Sequence, residues 1–362
     1  MGLFEPGRLG HLTLPNRIVM APLGRARNDP DTRKPGALSV EYYRQRASAG
    51  LIISEATHVS AGSVSRPGTG AIHTAAQVEA WRRVTNAVHD AGGRIFQQLF
   101  HLGRKADPDR LPGRQPPPAP SAIAARGTLP GPQGPKPFPV PRPLRLGEIA
   151  ALRDEFGLAL VNASSAGFDG VELHAANGFL IEQFLRDDSN QRVDAYGGSI
   201  AARARFLLQL VDAALEVFGP EGVGVRLSPH FDIDGPGASD PALLYPYIAE
   251  QLGQRGIAYL HVIEPDSIPH PRKIAARLKE AFGGPFILAG EFTRDSAEAA
   301  LAQSRADFIA FGRPFIANPD LVARFRQPEP VLNPTDEATW YSGGAHGYTD
   351  YPTLAQTLVN AG

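Results

Sequence analysis

Short apolar runs alternate along the chain with longer stretches of helical periodicity. The runs fall at residues 18–23, 51–56, 95–100, 170–175, 223–227, 259–263, 286–289 and 308–311. None shows clean polar/apolar alternation, so each reads as a parallel strand covered on both faces. Between the runs the period lengthens. Ile149, Leu152, Phe156 and Leu160 recur at steps of three or four and give one apolar helix face. Thr74 followed by Gln77 has capping-box spacing and opens a helix carrying Val78, Trp81 and Val84. Strands alternating with helices in this way predict an α/β fold, a closed (β/α)8 TIM barrel more than an open doubly wound sheet.

Two stretches break the alternation. The segment from Leu3-Phe4-Glu5-Pro6 to Leu12-Thr13-Leu14 predicts a small N-terminal hairpin, a lid on the barrel's bottom. Residues 112–143 hold 12 of the 34 prolines, a density that forbids regular helix or central strand. This long Pro-rich loop follows the third strand and should emerge at the C-terminal face, where barrel enzymes keep their chemistry. A lid or pocket wall is expected there. Alternation resumes at Leu146, so the loop is not a linker, and one domain over 1–362 is expected.

Charge narrows the partners. Lys plus Arg (36) nearly balance Asp plus Glu (37), so no global field draws the chain to nucleic acid or anionic lipid. Cysteine is absent, which excludes disulfides and thiolate metal sites. The start, Met1-Gly2-Leu3-Phe4-Glu5-Pro6, has no basic region followed by an apolar run, and no run reaches membrane-span length. A cytoplasmic enzyme acting on a small molecule is expected; the oligomeric state is not legible.

Strand ends hold the candidate chemistry. Gly290 and Gly312 follow the seventh and eighth strands, and Arg313 follows Gly312. Small residues before helix N-termini, with a guanidinium, are what a phosphate site needs. Two ordinary left-handed turns and a surface arginine would read the same, and aldolases and synthases use the same corner. Arg226 ends the fifth strand inside the barrel mouth, where a buried cation needs an anion. The electron-rich edge of a reduced flavin is one candidate; a structural salt bridge to Glu172 or Glu55 is the other. Gln98 both donates and accepts, matching a flavin's pyrimidine edge. His174 and Asn177 are three apart, so they converge only if the chain leaves the strand near Ala175, a turn that Gly178 permits. Together they offer two N–H donors to a substrate oxygen.

Other features carry less. Asp232-Ile233-Asp234-Gly235 lacks the closing glutamate of a calcium loop and reads as a turn. Gly68-Thr69-Gly70 is no dinucleotide fingerprint, because the third glycine and the strand–helix setting are missing. His58, His73 and His101 have no metal-ligand spacing, and no metal is expected.

The chain resembles the Old Yellow Enzyme family, and its bacterial ene-reductase branch in particular. The resemblance rests on Pro15-Asn16-Arg17 leading to Met20-Ala21-Pro22-Leu23, on Tyr42-Tyr43-Arg44-Gln45-Arg46-Ala47, and on Val171-Glu172-Leu173-His174. Ser189-Asn190-Gln191-Arg192, Phe311-Gly312-Arg313 and Gly347-Tyr348-Thr349-Asp350-Tyr351-Pro352 extend it over nearly the whole chain. It implies FMN at the barrel mouth, reduced by NADPH or NADH that docks and leaves. By matching motif, Pro22, Leu23, Gly24, Ala56, Gln98 and Arg226 would surround the ring. Gly290, Glu291, Gly312 and Arg313 would hold the phosphate. His174 and Asn177 would grip a carbonyl or nitro oxygen of the substrate, with Arg66, Phe100, Phe179 and Tyr348 around the pocket.

Departures from the family pattern bear on mechanism. Gly24 stands where many members carry a threonine that reaches the flavin, a lost hydrogen bond of ~1 kcal/mol. Phe100 replaces a tryptophan, and Arg66 an expected tyrosine. Phe179 stands where the usual proton-donating tyrosine would be. The expected activity is reduction of activated C=C bonds, with the proton coming from water, Tyr348 or another group. Redox-neutral isomerisation, cyclisation or desaturation at the same site is the alternative. A passive flavin binder, or a barrel lyase using the phosphate corner, is the reading from another class.

Overall fold

The computed structural model describes residues 1–63, 66–131, 134–265, 267–269 and 273–360, with 358–360 as backbone only. Its centre is a ring of parallel strands: Ile18–Met20, Leu51–Ile53, Ile95–Phe100, Gly170–Ala175, Val223–Leu227, Tyr259–Ile263, Phe286–Ala289 and Phe308–Phe311. Each pairs with the next, and the eighth returns to the first through Ile309–Ile18, Ala310–Val19 and Phe311–Met20. The (β/α)8 barrel is closed.

Strand parity explains the lack of alternation. Val19, Leu51, Ile53, Phe96, Tyr259, Ile287 and Phe308 form one buried cluster inside the ring. Ile18, Ile52, Ile95, Leu99, Val171 and Leu173 belong to the cluster shared with the helices. Both faces are therefore apolar. The first two strands end earlier than the sequence implies. Pro22 has no N–H to give the ladder, and the Glu55 N–H is bonded to the Tyr43 hydroxyl at 2.9 Å.

The hairpin pairs Gly7–Leu9 with Leu12–Leu14, and Leu9, Leu12 and Leu14 pack into the interior cluster. They plug the end away from the strand C-termini. Helix Ala75–Asp90 begins with the reciprocal Thr74/Gln77 capping box. Helix Leu146–Ser165 buries Ile149, Leu152, Phe156 and Leu160. In the Pro-rich loop, Thr128–Gly131 pairs antiparallel with Gly134–Pro137. This hairpin is peripheral, and Pro130 faces Pro135, so two missing donors share one rung. Residues 132–133 lie outside the described residues. No described helix is long and apolar enough to cross a membrane.

Candidate active site

Inward parity carries Phe96, Gln98 and Phe100 up the third strand, Glu172 and His174 up the fourth, and Arg226 up the fifth. These upper positions open into a cavity of about 520 Å³ at the strand C-termini. Pro22, Gly24, Ala56, Gln98, His174 and Arg226 line its floor, and Arg66, Phe100, Asn177 and Phe179 its sides. Thr128, Leu129, Pro130 and Phe138 make the Pro-rich loop a wall of it. A more open depression beside Arg17, Lys279 and Asp307 lies at the other end, away from these donors.

Under the floor is a buried polar layer. Gln98 Nε2 donates to Glu172 Oε1 at 2.6 Å. Glu172 Oε2 accepts from the Tyr259 hydroxyl at 3.1 Å and from His261 Nδ1 at 2.8 Å. Burial pushes Glu172 upward, but His261, Arg226 and Gln98 outweigh it and hold the carboxyl below its ordinary range. Gln98 is thereby fixed by an anion, with its amide oxygen free of that bond.

Arg226 is buried, and among the described residues it makes no hydrogen bond or ion pair; its Nε is without a partner. Burial draws its pKa down, opposed by Glu172 and Tyr259. Neither expected salt bridge forms. The Glu172 oxygens are taken by the layer below. Glu55 is bonded to Asn28 Nδ2 at 2.8 Å and pushed up to about 7 by burial. A buried guanidinium left this way fits an anionic, hydrogen-bonding edge of a bound group.

His174 and Asn177 meet in the cavity because the chain turns where the sequence required. The fourth strand ends at Ala175, and Asn177 (φ 57°) and Gly178 (φ 72°) are left-handed. Asn177 N–H donates to Ser228 Oγ at 2.8 Å, and Ser228 Oγ donates to Glu182 Oε1 at 2.9 Å. Gly178 N–H donates to Glu182 Oε2 at 2.5 Å, and the Tyr245 hydroxyl to Oε1 at 3.1 Å. Burial pushes Glu182 up to about 7. Burial first, then Arg226, His261 and Lys105, holds His174 well below the ordinary histidine range, so the imidazole is neutral. Its Nδ1 has no partner. Phe179 stands edge-on to His174 at 4.9 Å and to Phe100 at 5.2 Å, and Phe100 stacks on His58 at 4.5 Å.

Several expected residues lie elsewhere. Tyr348 does not line the cavity: it is buried behind it, stacked on Tyr42 at 4.2 Å, with the guanidinium of Arg25 at 5.3 Å. Leu23 packs on the core beside Gly312. Gly290, Glu291, Gly312 and Arg313 sit at the ends of the paired seventh and eighth strands, outside the cavity lining. Neither glycine is left-handed; Glu291 is, with φ 62°. A Cβ on Gly290 would fall 2.4 Å from the Glu264 carbonyl oxygen, so packing alone demands glycine there. Arg313 is exposed, with Nη1 3.5 Å from Glu291 Oε1.

Sequence reasoning missed the support of the His174–Gly178 loop. Asp234, which reads as part of a turn, is buried and lies 3.3 Å from Arg186, 3.6 Å from Arg104 and 3.7 Å from Lys105. The acidic Asp232-Ile233-Asp234-Gly235 run was the visible signal, but its partners are distant in sequence. Ser228 and Glu182 gave none.

A closed barrel that gathers His174, Asn177, Gln98 and the unmatched Arg226 at its mouth has the form of a barrel enzyme built around a bound cofactor, and comparison with known proteins gives its class. Residues 2–330 match the NADH:flavin oxidoreductase / NADH oxidase family. The chain is 41% identical to 12-oxophytodienoate reductase 2 of Arabidopsis thaliana, over 98% of this chain and 96% of that protein. It is also 41% identical to a probable flavin mononucleotide-dependent alkene reductase of Leishmania infantum, covering 97% of each. Morphinone reductase in complex with tetrahydroNAD superposes with a TM-score of 0.93 at 47% identity, covering 98% of each chain. An Old Yellow Enzyme homologue from Zymomonas mobilis gives 0.93 at 44%, over 98% of this chain and 100% of the other. The chain belongs to this FMN-dependent oxidoreductase family, the Old Yellow Enzyme family.

Proposed function

We propose that the chain, as one FMN-binding unit over residues 1–362, reduces the C=C bond of α,β-unsaturated carbonyl or nitro compounds, using NADPH or NADH. When bound, FMN supplies the hydride. Gln98 and Arg226 hold its polar edge, Pro22, Leu23, Gly24 and Ala56 surround the ring, and Gly290, Glu291, Gly312 and Arg313 take the phosphate. Neutral His174 and the Asn177 amide donate to the substrate oxygen, where charge builds as the β-carbon is reduced. Phe100, Phe179 and Arg66 bound the substrate, and the Pro-rich wall limits water.

The observation that carries this reading is the pairing, in one cavity, of the unpartnered Arg226 guanidinium with His174 and Asn177 on a clamped turn. Relatives named as reductases weigh against the redox-neutral alternative. Stopped-flow spectroscopy tests it: purified protein is yellow, bleaches with NADPH or NADH, and recovers with cyclohexenone or a nitroalkene. His174→Ala and Asn177→Ala each slow that recovery by roughly 10²–10³-fold, as expected for removing an oxyanion donor. Colourless protein, or bleaching that no enone or nitroalkene reverses, overturns the proposal.

A further inference from the structure

Hydride addition at the β-carbon leaves an electron pair shared between the substrate oxygen and the α-carbon. The reaction closes only when the α-carbon takes a proton. The donor must reach the same cavity and carry an acidic hydrogen. Phe179, on the loop that grips the oxygen, has none. His174 is neutral and committed to the oxygen, amides are far too weak as acids, and guanidinium groups do not deprotonate. Tyr348 is not among the residues that line the cavity. Tyr341 lies at the exposed rim beneath Arg66, whose guanidinium is 3.9 Å from its ring.

Asp107 also lines the cavity, but Lys136 at 2.9 Å and Arg110 at 3.5 Å engage its two carboxylate oxygens, and the residue that meets the need beside the oxygen-gripping turn is Lys105. Lys105 closes the short turn Gly103–Lys105 after the third strand, and its side chain is only 17% exposed. Its Nζ donates to the Asn177 carbonyl oxygen at 3.1 Å, so the ammonium adjoins the oxygen-gripping turn. It lies 5.2 Å from the Phe179 ring centre and 5.1 Å from that of Phe231, between two aromatic faces. Asp234 approaches at 3.7 Å. One of the three N–H groups is taken by the Asn177 carbonyl, and Asp234 pairs with the charge from beyond hydrogen-bond distance, so N–H groups remain for the cavity that Lys105 lines.

We propose, on the ene-reductase reading above, that Lys105 is the catalytic acid that protonates the substrate α-carbon. The hydride's electron pair forms the C–H bond at the β-carbon, the alkene π pair shifts to join the α-carbon to the carbonyl carbon, and the C=O π pair moves onto the oxygen held by His174 and Asn177. As that charge returns, the α-carbon bonds to a Lys105 proton, whose N–H pair stays on nitrogen. The neutral amine then regains a proton from water. Asp234 and Glu182 face the ammonium from the acidic side, and Arg104 and Arg186 from the basic side, with His174 across the cavity. Burial is the largest influence and draws the lysine pKa down, against the two acids and with the two arginines. That brings the group nearer the working range of a general acid.

Separate measurement of the two half-reactions tests the assignment. In Lys105→Met, bleaching by NADPH or NADH stays within about twofold of the parent, while recovery with cyclohexenone slows at least ~100-fold. Parent recovery falls as pH rises through the lowered lysine pKa, below the range of exposed lysines, and this limb is missing in the variant. Adding Phe179→Tyr to Lys105→Met restores recovery at least ~10-fold by supplying a phenol proton beside the vacated position. Independent of turnover, NMR of ¹³C-methylated lysines shows one signal, absent in Lys105→Met, shifted by the rings and titrating below the others. Recovery in Lys105→Met equal to the parent at every pH overturns the assignment. If the variant does not fold, a flat parent pH profile, or a Lys105 signal that titrates with the exposed lysines, does so instead. A parent that bleaches but never recovers fails the ene-reductase reading itself, not this assignment alone.

Discussion

At the end of the fourth strand, Asn177 and Gly178 are pinned by Ser228, Glu182 and Lys105, all buried or nearly so. At the ends of the seventh and eighth, Glu291 and Arg313 meet in one exposed contact of 3.5 Å. The two regions answer different demands. Donors aimed at a developing charge must stand in place before the substrate arrives, because reorganisation would cost the energy they supply. A phosphate anchor needs only open backbone and positive charge, and the ligand itself completes its order. The first region is held by the protein; the second is left for the ligand to fill.

Two glycines break or sharpen that contrast. Gly178 is left-handed, and a Cβ there would lie 2.0 Å from Asp234 Oδ2. Gly178→Ala therefore combines backbone strain with overpacking of a buried ion cluster, a loss of about 3 kcal/mol. Thermal unfolding should show it, together with slower recovery by enones. An unchanged melting temperature would mean the clamp is slack.

The clamp also titrates. Burial holds Glu182 near 7, against an ordinary value near 4.5. Between those values the folded protein keeps a proton that the unfolded chain has released. The stability from this group is present at low pH and lost as pH rises through 7. Glu182→Gln removes the titration, flattening stability against pH by on the order of 3 kcal/mol across that window. Denaturant unfolding at several pH values measures it. An identical slope in the variant would place the proton elsewhere, with Glu55, also near 7, the next group to replace.

Gly312 supplies the opposite case. Its Cβ would meet only Leu23 Cδ2 at 3.5 Å and the Ala21 Cβ at 3.9 Å, ordinary contacts. Gly312→Ala should leave stability within ~0.5 kcal/mol. If backbone at this strand end approaches the phosphate, FMN affinity falls about tenfold, or ~1.4 kcal/mol. Fluorescence titration decides. Unchanged affinity would remove this corner from the cofactor site.

The same contrast separates what the sequence made legible from what it did not. The barrel was readable because most strands are apolar on both faces, and runs such as 286–289 show this without reference to partners. The turn at Ala175–Gly178 was readable from residue spacing and one glycine. Tyr348 shows that a motif fixes chain position but not facing: in the structure it stacks on Tyr42 and is absent from the cavity lining. Glu182, Ser228 and Asp234 were invisible in their roles. Each acts through a partner tens of residues away, and a buried carboxylate in sequence looks like any surface one.

Gly24 tests the floor between these regions, and its expected effect is the smallest. Open space surrounds its Cβ position, with no atom within 4 Å, and its φ is not left-handed. Neither packing nor backbone geometry requires glycine, although the residue lines the cavity beside Gln98 and Arg226. Gly24→Thr should therefore fold with unchanged stability while placing a hydroxyl at the cavity floor. A hydrogen bond from it to the reduced flavin adds ~1 kcal/mol, which raises the two-electron midpoint potential by ~20 mV. Dye-equilibrated redox titration resolves a shift of that size. A potential that stays put in a stable, FMN-loaded variant would show that the ring does not reach Gly24, and the arrangement drawn from Arg226 and Gln98 would need to be rotated.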